Sequence, residues 1–242
     1  IEEWMRVYYA MTANIDWNTG RLQTAIARAG IEENTLFVFT SDHGEMFGAH
    51  GRMKKNIFYE EAARAPFLIK WPNIVPAGLD SDVCLNCVDI MPTLLGLVGL
   101  PVPDAVEGMD LSHWARGEPG DEPEAAFMQN TGACAAWENG HEWRALRDKR
   151  YTYAVYRVDG AELLFDHAAD PYQMENLVEI PAYRDVRDRF RRMLAGKMAS
   201  LNDTFEDSLW YRDHWISEDR EILRTATLGG VDGNKDHLQH IE

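Results

Sequence analysis

The sequence predicts an α/β protein, in which a mixed or parallel sheet with flanking helices is followed by a small antiparallel sheet packed with a C-terminal helix. A long helical pattern leads through a short loop into a continuous apolar run, and this alternation is typical of α/β folds. Short strand-like runs separated by hairpin turns come later in the chain. Beyond them, apolar residues recur on one helical face.

The first 100 residues hold the elements of the larger sheet. Apolar residues recur at near-helical intervals up to Gly30, which predicts a helix that stops there. The run at 35–40 is apolar, β-branched and aromatic, as in strands that are buried on both faces of a parallel sheet. The predicted elements are a helix at 4–29, strands at 35–40, 66–71 and 83–88, and a helix at 90–98 that has Pro92 in its first turn.

A Pro- and Gly-rich connection follows Gly99 and indicates a domain boundary. Beyond it, strands are predicted at 125–129, 143–147, 151–157 and 162–166, and a covering helix at 183–201. We therefore predict three regions. Residues 1–122 form part of a catalytic α/β domain, 123–201 form a small α+β subdomain, and 202–242 form a tail of unassigned role.

Composition and charge exclude several classes of partner. The 242 residues are 45% hydrophobic and 26% charged, which is ordinary for a folded domain. The formal net charge of −16 disfavours binding to nucleic acid or to an anionic membrane, since both need a basic face. No apolar stretch is long enough to span a bilayer. The first residues resemble neither an initiator segment nor a signal peptide, so we expect a chain that begins within a longer protein, and periplasmic, secreted and cytoplasmic locations all stay open.

The three cysteines are too few for a disulfide framework, and their odd number leaves at least one without a partner in the chain. Cys84 and Cys87 have the spacing of a zinc-ribbon or redox motif, but no second pair completes four ligands. We therefore expect them to be half-buried strand cysteines. Cys134 stands alone.

Asp42 and His43 follow the first predicted strand, and ligands collect at this end of strands in open α/β sheets. Both side chains can reach one ion only if the chain leaves strand geometry there, which Gly44 makes feasible. A cation needs further ligands from elsewhere. The alternative is that Asp42 caps a following turn while His43 faces solvent.

Arg52, Lys54 and Lys55 form a cationic cluster in the same loop of an acidic protein. Beside a metal ion, such a cluster suits a tetrahedral oxyanion such as sulfate or phosphate. His50 is a candidate to hydrogen-bond a substrate oxygen or to act as a general acid. The alternative is a solvated basic loop with an exposed histidine.

These residues carry a resemblance to a known family. The stretch from residue 35 to residue 69 is similar to the strand, metal loop and following strand of sulfatases, which are members of the alkaline-phosphatase-like superfamily. Later segments resemble the next helix and the C-terminal sheet of that family. The likeness covers most of residues 1–201, and its segments are 35–45, 50–51, Lys55, 59–69, 88–101, 107–111, 143–151, 162–171 and 175–177.

The resemblance implies hydrolysis of a sulfate monoester by a hydrated formylglycine beside a divalent cation. That cation is usually calcium, with magnesium and manganese as alternatives. By position, Asp42 and His43 match the late pair of metal ligands, and His43 stands where some members have Asn. Lys55 matches the catalytic lysine that contacts the sulfate, Lys54 is the alternative if the loop register shifts by one, and His50 is a further substrate-binding candidate.

The formylglycine motif itself, Cys or Ser followed by Pro or Ala two positions later and Arg four positions later, is absent. Cys84 and Cys87 lack the Pro or Ala, and Cys134 has Glu138 where Arg is required. The two early aspartate ligands of the family also have no counterpart. We therefore expect a C-terminal portion without turnover of its own, whose partner is the missing N-terminal half and whose substrate is a small-molecule or carbohydrate sulfate ester.

Two other interpretations stay open. A phosphatase or phosphonate monoester hydrolase of the same superfamily would share the metal loop. A noncatalytic interaction module would use the acidic surface and the aromatic tail residues Trp210, Tyr211 and Trp215. A core-covering role of that tail is the interpretation we favour.

Overall fold

The computed structural model describes residues 1–131, 140–208 and 210, together with the backbone of 216, 217, 220 and 221. Cys134, Tyr211 and Trp215, which the sequence analysis singled out, lie outside the described residues. The chain forms two compact units, Ile1–Ala126 and Phe127–Glu242. The boundary between the units falls after Ala126, whereas the predicted division falls after residue 122.

The first unit begins with a long helix. Acidic residues in its first turn and Arg28 in its last turn complement the helix dipole. None of its 27 residues is buried. The helices and strands of this unit are α1 (Glu2–Arg28), β1 (Phe37–Thr40), α2 (Glu60–Ala63), β2 (Phe67–Lys70), α3 (Cys87–Leu97) and α4 (Ser112–Ala115).

Strands β1 and β2 form a two-stranded antiparallel pair. Phe37 pairs with Lys70 at one end and Thr40 with Phe67 at the other. The apolar run of β1 indicated a parallel strand buried on both faces, but its apolar residues are half-buried and its neighbour is antiparallel, as a mixed sheet allows. A continuous apolar run reports the tendency to be covered, not the direction of the neighbouring strand.

The strand predicted at 83–88 is wrong, because a helix begins inside it. Asn86 caps α3: its side chain accepts a hydrogen bond from the amide of Cys87 (2.7 Å), while its own amide donates to Asp89 (2.8 Å). This reciprocal capping box fixes the start of the helix. The expectation of two strand cysteines falls with it, since Cys84 is buried before the helix and Cys87 is exposed at its first position.

The second carboxylate oxygen of Asp89 connects α3 to the segment that contains Met109. Its carboxylate accepts a hydrogen bond from the amide of Met109 (2.8 Å), and the buried hydroxyl of Thr93 accepts one from the amide of Leu111 (3.0 Å). Two polar residues of the apolar helix therefore hold the chain that follows it. We assign them a structural role.

The second unit contains the predicted small sheet. Its strands are β3 (Ala126–Asn130), β4 (Trp143–Arg147), β5 (Tyr151–Tyr156) and β6 (Glu162–Asp166), in the order β3-β4-β5-β6. The pairs β4–β5 and β5–β6 are antiparallel. All four strands lie within two residues of their predicted bounds.

Helix α5 (Arg184–Ser200) packs against this sheet through buried Phe190 and Leu194. The ring of Phe190 lies 5.9 Å from the ring of Tyr153 on β5. This confirms the predicted covering helix. Two further short strands, β7 (Ile216–Ser217) and β8 (Arg220–Glu221), pair antiparallel with each other.

A buried ion pair also stabilises the second unit. The guanidinium of Arg144 on β4 binds both carboxylate oxygens of Asp203 and lies over the ring of Phe205. The side chains of Arg144 and Asp203 are 1% and 7% exposed, so each charge depends on the other for compensation.

None of the helices described is both long and apolar enough to cross a bilayer.

Candidate metal and sulfate site

The candidate site lies in the loop between β1 and α2. Strand β1 ends at Thr40, and Asp42 and His43 follow almost at once. Gly44 then contacts α2: its amide donates to the carbonyl of Ala62 (2.8 Å), and a Cβ added to it would lie 1.9 Å from the carbonyl oxygen of Glu61. Only glycine permits this approach. The metal-ligand candidates are therefore held directly against the helix.

Asp42 and His43 converge, as the hypothesis of a shared ion requires. The Nε2 atom of His43 lies 3.4 Å from a carboxylate oxygen of Asp42. The Nδ1 atom of the same ring lies 2.7 Å from the carbonyl oxygen of Gly44, which has no proton to donate. We assign the proton to Nδ1, because only a donor satisfies that contact, and this leaves the lone pair of Nε2 beside the carboxylate.

This arrangement fits half of a metal site. A backbone carbonyl that orients a histidine through its second nitrogen is the usual support for a metal ligand. The side chain of Asp42 is 85% exposed, and the carboxylate oxygen that lies further from Nε2 accepts a hydrogen bond from the amide of His43 (3.0 Å). Within the described residues, no group of three His, Cys, Asp or Glu side chains could hold a metal ion. A cation bound by Asp42 and His43 would need further ligands.

The cap interpretation of Asp42 fails on geometry. An N-capping carboxylate accepts from an amide two or three residues further on. The carboxylate of Asp42 instead accepts a hydrogen bond from the amide of His43, the next residue, and the amide of Gly44 donates to the carbonyl of Ala62. Asp42 therefore does not serve as a helix cap.

The basic loop is folded back on itself by main-chain bonds. The amide of Met46 donates to the carbonyl of Lys54 (2.8 Å), and that of Gly48 donates to the carbonyl of Arg52 (2.7 Å). The side chain of Met46 is buried and anchors the loop. Arg52, Lys54 and Lys55 are all exposed. The predicted cationic cluster is thus presented to solvent on a loop of defined backbone.

The Glu45 carboxylate is a feature of this loop that sequence reasoning missed. One of its oxygens accepts hydrogen bonds from the amides of Lys54 (2.5 Å) and Phe47 (3.3 Å). A signal was present, since a carboxylate inside a Gly-rich loop has backbone amides within reach. Nothing in the spacing showed which amides it would bind.

His50 takes a different position from the other candidates. Its ring stacks on Tyr59, with centroids 3.8 Å apart and an interplanar angle of 6°, and its side chain is 11% exposed. Its Nε2 atom lies 4.0 Å from a carboxylate oxygen of Glu61. Burial raises the pKa of the Tyr59 hydroxyl, an effect that nearby Arg52 opposes. The observed contacts of His50 are thus with α2 and the residue before it.

Comparison with known proteins places the chain in a family. Residues 48–200 match the family model described as N-sulphoglucosamine sulphohydrolase, C-terminal. The chain is 36% identical over 212 residues to the ulvan-active sulfatase of Formosa agariphila, covering 86% of this chain and 41% of that protein. It thus spans about two fifths of the length of the curated relatives it matches.

Solved structures agree. A protein in complex with its substrate D-glucosamine-2-N,6-O-disulfate superposes with a TM-score of 0.76 at 28% identity, covering 83% of this chain and 41% of that one. The phosphonate monoester hydrolase of Agrobacterium radiobacter gives a TM-score of 0.68 at 30% identity, covering 85% and 42%. These matches confirm the predicted alkaline-phosphatase-like α/β class. The chain belongs to the sulfatase family and matches its C-terminal portion.

Proposed function

We propose that this chain is part of a sulfatase that hydrolyses sulfate monoesters, to which it contributes two metal ligands and a sulfate-binding loop. The observation that carries the proposal is the convergence of Asp42 and His43, with the Nε2 atom of His43 3.4 Å from a carboxylate oxygen of Asp42. Two donors at this distance can bind one cation. The exposed lysines follow in the same loop, as an anionic substrate requires.

Each residue has a distinct role in this proposal. A divalent cation, calcium by family resemblance, would polarise the oxygens that react, and a hydrated formylglycine would supply the nucleophile. Asp42 and His43 hold that cation from one side. The ammonium of Lys55 binds a sulfate oxygen and stabilises negative charge on the ester oxygen as its bond to sulfur breaks. Lys54 is the alternative for this role, and His50 is a further candidate for substrate contact.

The identity of the cation is part of the proposal. The Asp42 carboxylate suits calcium, magnesium or manganese, whereas the imidazole nitrogen of His43 also suits transition metals. The two ligands alone do not choose among them. The remaining ligands and the nucleophile belong, in this proposal, to an N-terminal portion of the same protein.

The proposed substrate class is a sulfated carbohydrate. Relatives of this chain include the ulvan-active sulfatase of Formosa agariphila and an N-acetylglucosamine-6-O-sulfatase of Bacteroides thetaiotaomicron. A related structure holds a glucosamine disulfate. The candidate loop carries the cations that recognise the sulfate, while selection among sugars depends on other residues.

Substitutions in the complete enzyme test the site. Asp42→Ala should lower metal affinity by about 100-fold or more, since even residues behind the ligands affect it by about 10–100-fold. Activity should fall with the metal content. Lys55→Ala should keep the metal and lower kcat by about 100-fold, because it removes a charge that stabilises the transition state. Metal analysis and hydrolysis of a chromogenic aryl sulfate measure both quantities.

Matched surface variants control for the loss of charge alone. Asp80→Ala and Lys197→Ala remove exposed charges that are not part of the loop sequence and should leave metal content and rate unchanged. Lys54→Ala, measured beside Lys55→Ala, identifies which lysine contacts the sulfate. Unchanged metal content in Asp42→Ala would refute the ligand assignment.

The second candidate is a phosphonate monoester hydrolase. The structural similarity to the Agrobacterium radiobacter enzyme favours it, because it approaches the similarity to sulfatases. The nucleophile and the substrate preference separate the two. A sulfatase hydrolyses the aryl sulfate faster than an aryl phosphonate and needs Cys or Ser in the formylglycine motif upstream, whereas Thr or Ser without the motif favours a phosphatase.

A further inference from the structure

We propose that Glu45 is a positioning residue, which holds the backbone of Lys54 and thereby aims the sulfate-binding lysines. This inference rests on the proposed function of the loop. Glu45 is neither a metal-ligand candidate nor a substrate contact. It follows the metal pair directly and binds the far side of the same loop.

The contacts of Glu45 converge on one residue. Its carboxylate accepts a hydrogen bond from the amide of Lys54 (2.5 Å). Hydrogen bonds to a charged acceptor are stronger than those between neutral groups. The same oxygen accepts the amide of Phe47 at 3.3 Å. The carbonyl of Lys54 is bound as well, by the amide of Met46. Both backbone polar groups of Lys54 are therefore fixed by residues 45 and 46.

The backbone of Lys54 needs such support. Its φ angle is +69°, in the left-handed region that residues with a Cβ avoid. Phe47, His50 and Asn56 in the same loop also have positive φ. Such conformations persist only where surrounding contacts over-determine them, and they concentrate at functional sites. The bond from Glu45 is the side-chain contact to this strained peptide.

Loss of this bond should move the lysines without removing them. The side-chain directions of Lys54 and Lys55 depend on the dihedral angles of Lys54, because it lies between the anchored peptide and Lys55. A relaxed φ at Lys54 would displace the ammonium groups from the sulfate, and a displacement of about 1 Å can lower a rate by about 100-fold. Asp42 and His43 precede Glu45 and would keep their contacts with each other and with Gly44.

Kinetics of the complete enzyme test this role. Glu45→Ala should lower kcat for an aryl sulfate by about 100-fold, with the metal content unchanged. Glu45→Gln retains an acceptor oxygen and should stay within about 5-fold of the parent. Glu33→Ala, at an exposed position before β1, is the matched control and should behave as the parent.

A double-mutant cycle separates positioning from general damage to the loop. Glycine adopts positive φ without strain, so Lys54→Gly removes the need for the clamp. Glu45→Ala should therefore cost less than about 10-fold in the Lys54→Gly background, against about 100-fold in the parent. Equal costs in the two backgrounds, or a rate for Glu45→Ala equal to that of the parent, overturn the proposal.

A spectroscopic readout distinguishes failure of this inference from failure of the proposed function. An amide bound to a carboxylate at short distance resonates downfield, so the Lys54 amide proton should move upfield in Glu45→Ala and not in Glu33→Ala. If this shift occurs in a protein that does not hydrolyse sulfate esters, the clamp stands and the sulfatase function falls. If sulfate hydrolysis is present and the Lys54 amide does not respond, the clamp falls alone.

Discussion

At the scale of single residues, the metal loop depends on the absence of a side chain at Gly44. The close approach of its Cα to the carbonyl of Glu61 brings the end of β1 against α2. His43 then finds the carbonyl of Gly44 as the acceptor for its Nδ1 proton. The geometry of the candidate pair Asp42 and His43 therefore depends on a neighbour that has no side chain.

Gly44→Ala should damage both stability and metal binding. The added Cβ would lie 1.9 Å from a backbone oxygen, so the loop or α2 must move, and overpacking of this kind costs about 1–3 kcal/mol. The displaced His43 should bind metal more weakly. Urea unfolding and metal titration of the complete enzyme measure the two effects.

Gly20→Ala is the matched control for that substitution. Nothing lies within 4 Å of a Cβ added at Gly20, in the interior of α1, so alanine should stabilise the helix by about 0.5–1 kcal/mol. A Gly44→Ala variant with the stability and metal affinity of the parent would contradict the proposed role of Gly44.

The sequence indicates candidate residues for the site, but their geometry was not readable from it. Asp42 and His43 were recognisable because they follow an apolar run and precede a glycine, and the chain indeed leaves the strand at Thr40. The tautomer of His43 depends on a carbonyl that only the folded turn brings to it. The hydrogen bond from the amide of Lys54 to Glu45 joins residues nine positions apart and depends on a positive φ at Lys54. Positive φ favours glycine, so a lysine at this position gives no sequence signal for it.

At the scale of elements, local signals were reliable where the period was clear. Strands β4, β5 and β6 are joined by short turns, and the bounds of β3 to β6 were predicted closely. The prediction of a strand at 83–88 rests on the apolar residues of this segment and does not take the capping pair into account. Asn86 and Asp89 stand three residues apart, which is the spacing of a capping box, and the helix begins between them.

Pro92 shows how tertiary contacts alter a local expectation. It was expected in the first turn of its helix, but α3 begins five residues earlier. A proline inside a helix leaves the carbonyl four residues before it, here that of Val88, without its usual donor. Gly108 lies against that carbonyl, since a Cβ there would come within 1.9 Å of its oxygen. The close packing of this later segment on α3 was not readable from the pattern of the helix alone.

The contact between α5 and the small sheet carries a charged pair with a defined pH dependence. Arg191 on α5 binds both carboxylate oxygens of Glu162 on β6 (2.7 and 2.8 Å), and the hydroxyl of Tyr153 donates to one of them (2.7 Å). The bond from Arg191, followed by that from Tyr153, lowers the pKa of Glu162 despite partial burial. The stability that this pair supplies is therefore fully present above the ordinary glutamate pKa of about 4.3.

Acid should remove this stabilisation. Because the folded pKa of Glu162 is lowered, the unfolded chain takes up the proton first, and the contribution is lost as the pH falls through the folded pKa. Glu162→Gln should lower the free energy of unfolding at pH 7 by about 1 kcal/mol, a small figure because Arg191 is 43% exposed. It should also reduce the loss of stability between pH 5 and about pH 3.

Urea unfolding at several pH values measures the effect of Glu162→Gln, with Glu179→Gln at an exposed position as the matched control. The control should follow the parent at every pH. An acid dependence of Glu162→Gln that is as steep as that of the parent would show that this carboxylate does not contribute.

At the scale of the whole molecule, α1 carries the largest uncovered apolar surface among the described helices. Trp4, Met11, Ile15 and Leu22 recur at helical spacing on one face, and each is at least 50% exposed. Soluble proteins seldom leave such a face uncovered, and large exposed apolar patches mark interaction surfaces. The chain spans about two fifths of the length of its curated relatives, and the metal site proposed for Asp42 and His43 would need further ligands.

The chain on its own should therefore self-associate through α1. We expect it to bind a hydrophobic dye and to sediment as concentration-dependent oligomers, despite a net charge of −16 that opposes association. Met11→Gln combined with Ile15→Gln should reduce both effects, whereas Tyr172→Gln combined with Met174→Gln, at two exposed apolar positions of the second unit, should not. Co-expression with the proposed N-terminal portion should suppress dye binding of the parent chain. The same N-terminal portion should fail to pair with the α1 variant. Oligomers that persist unchanged in the α1 variant would place the uncovered surface elsewhere.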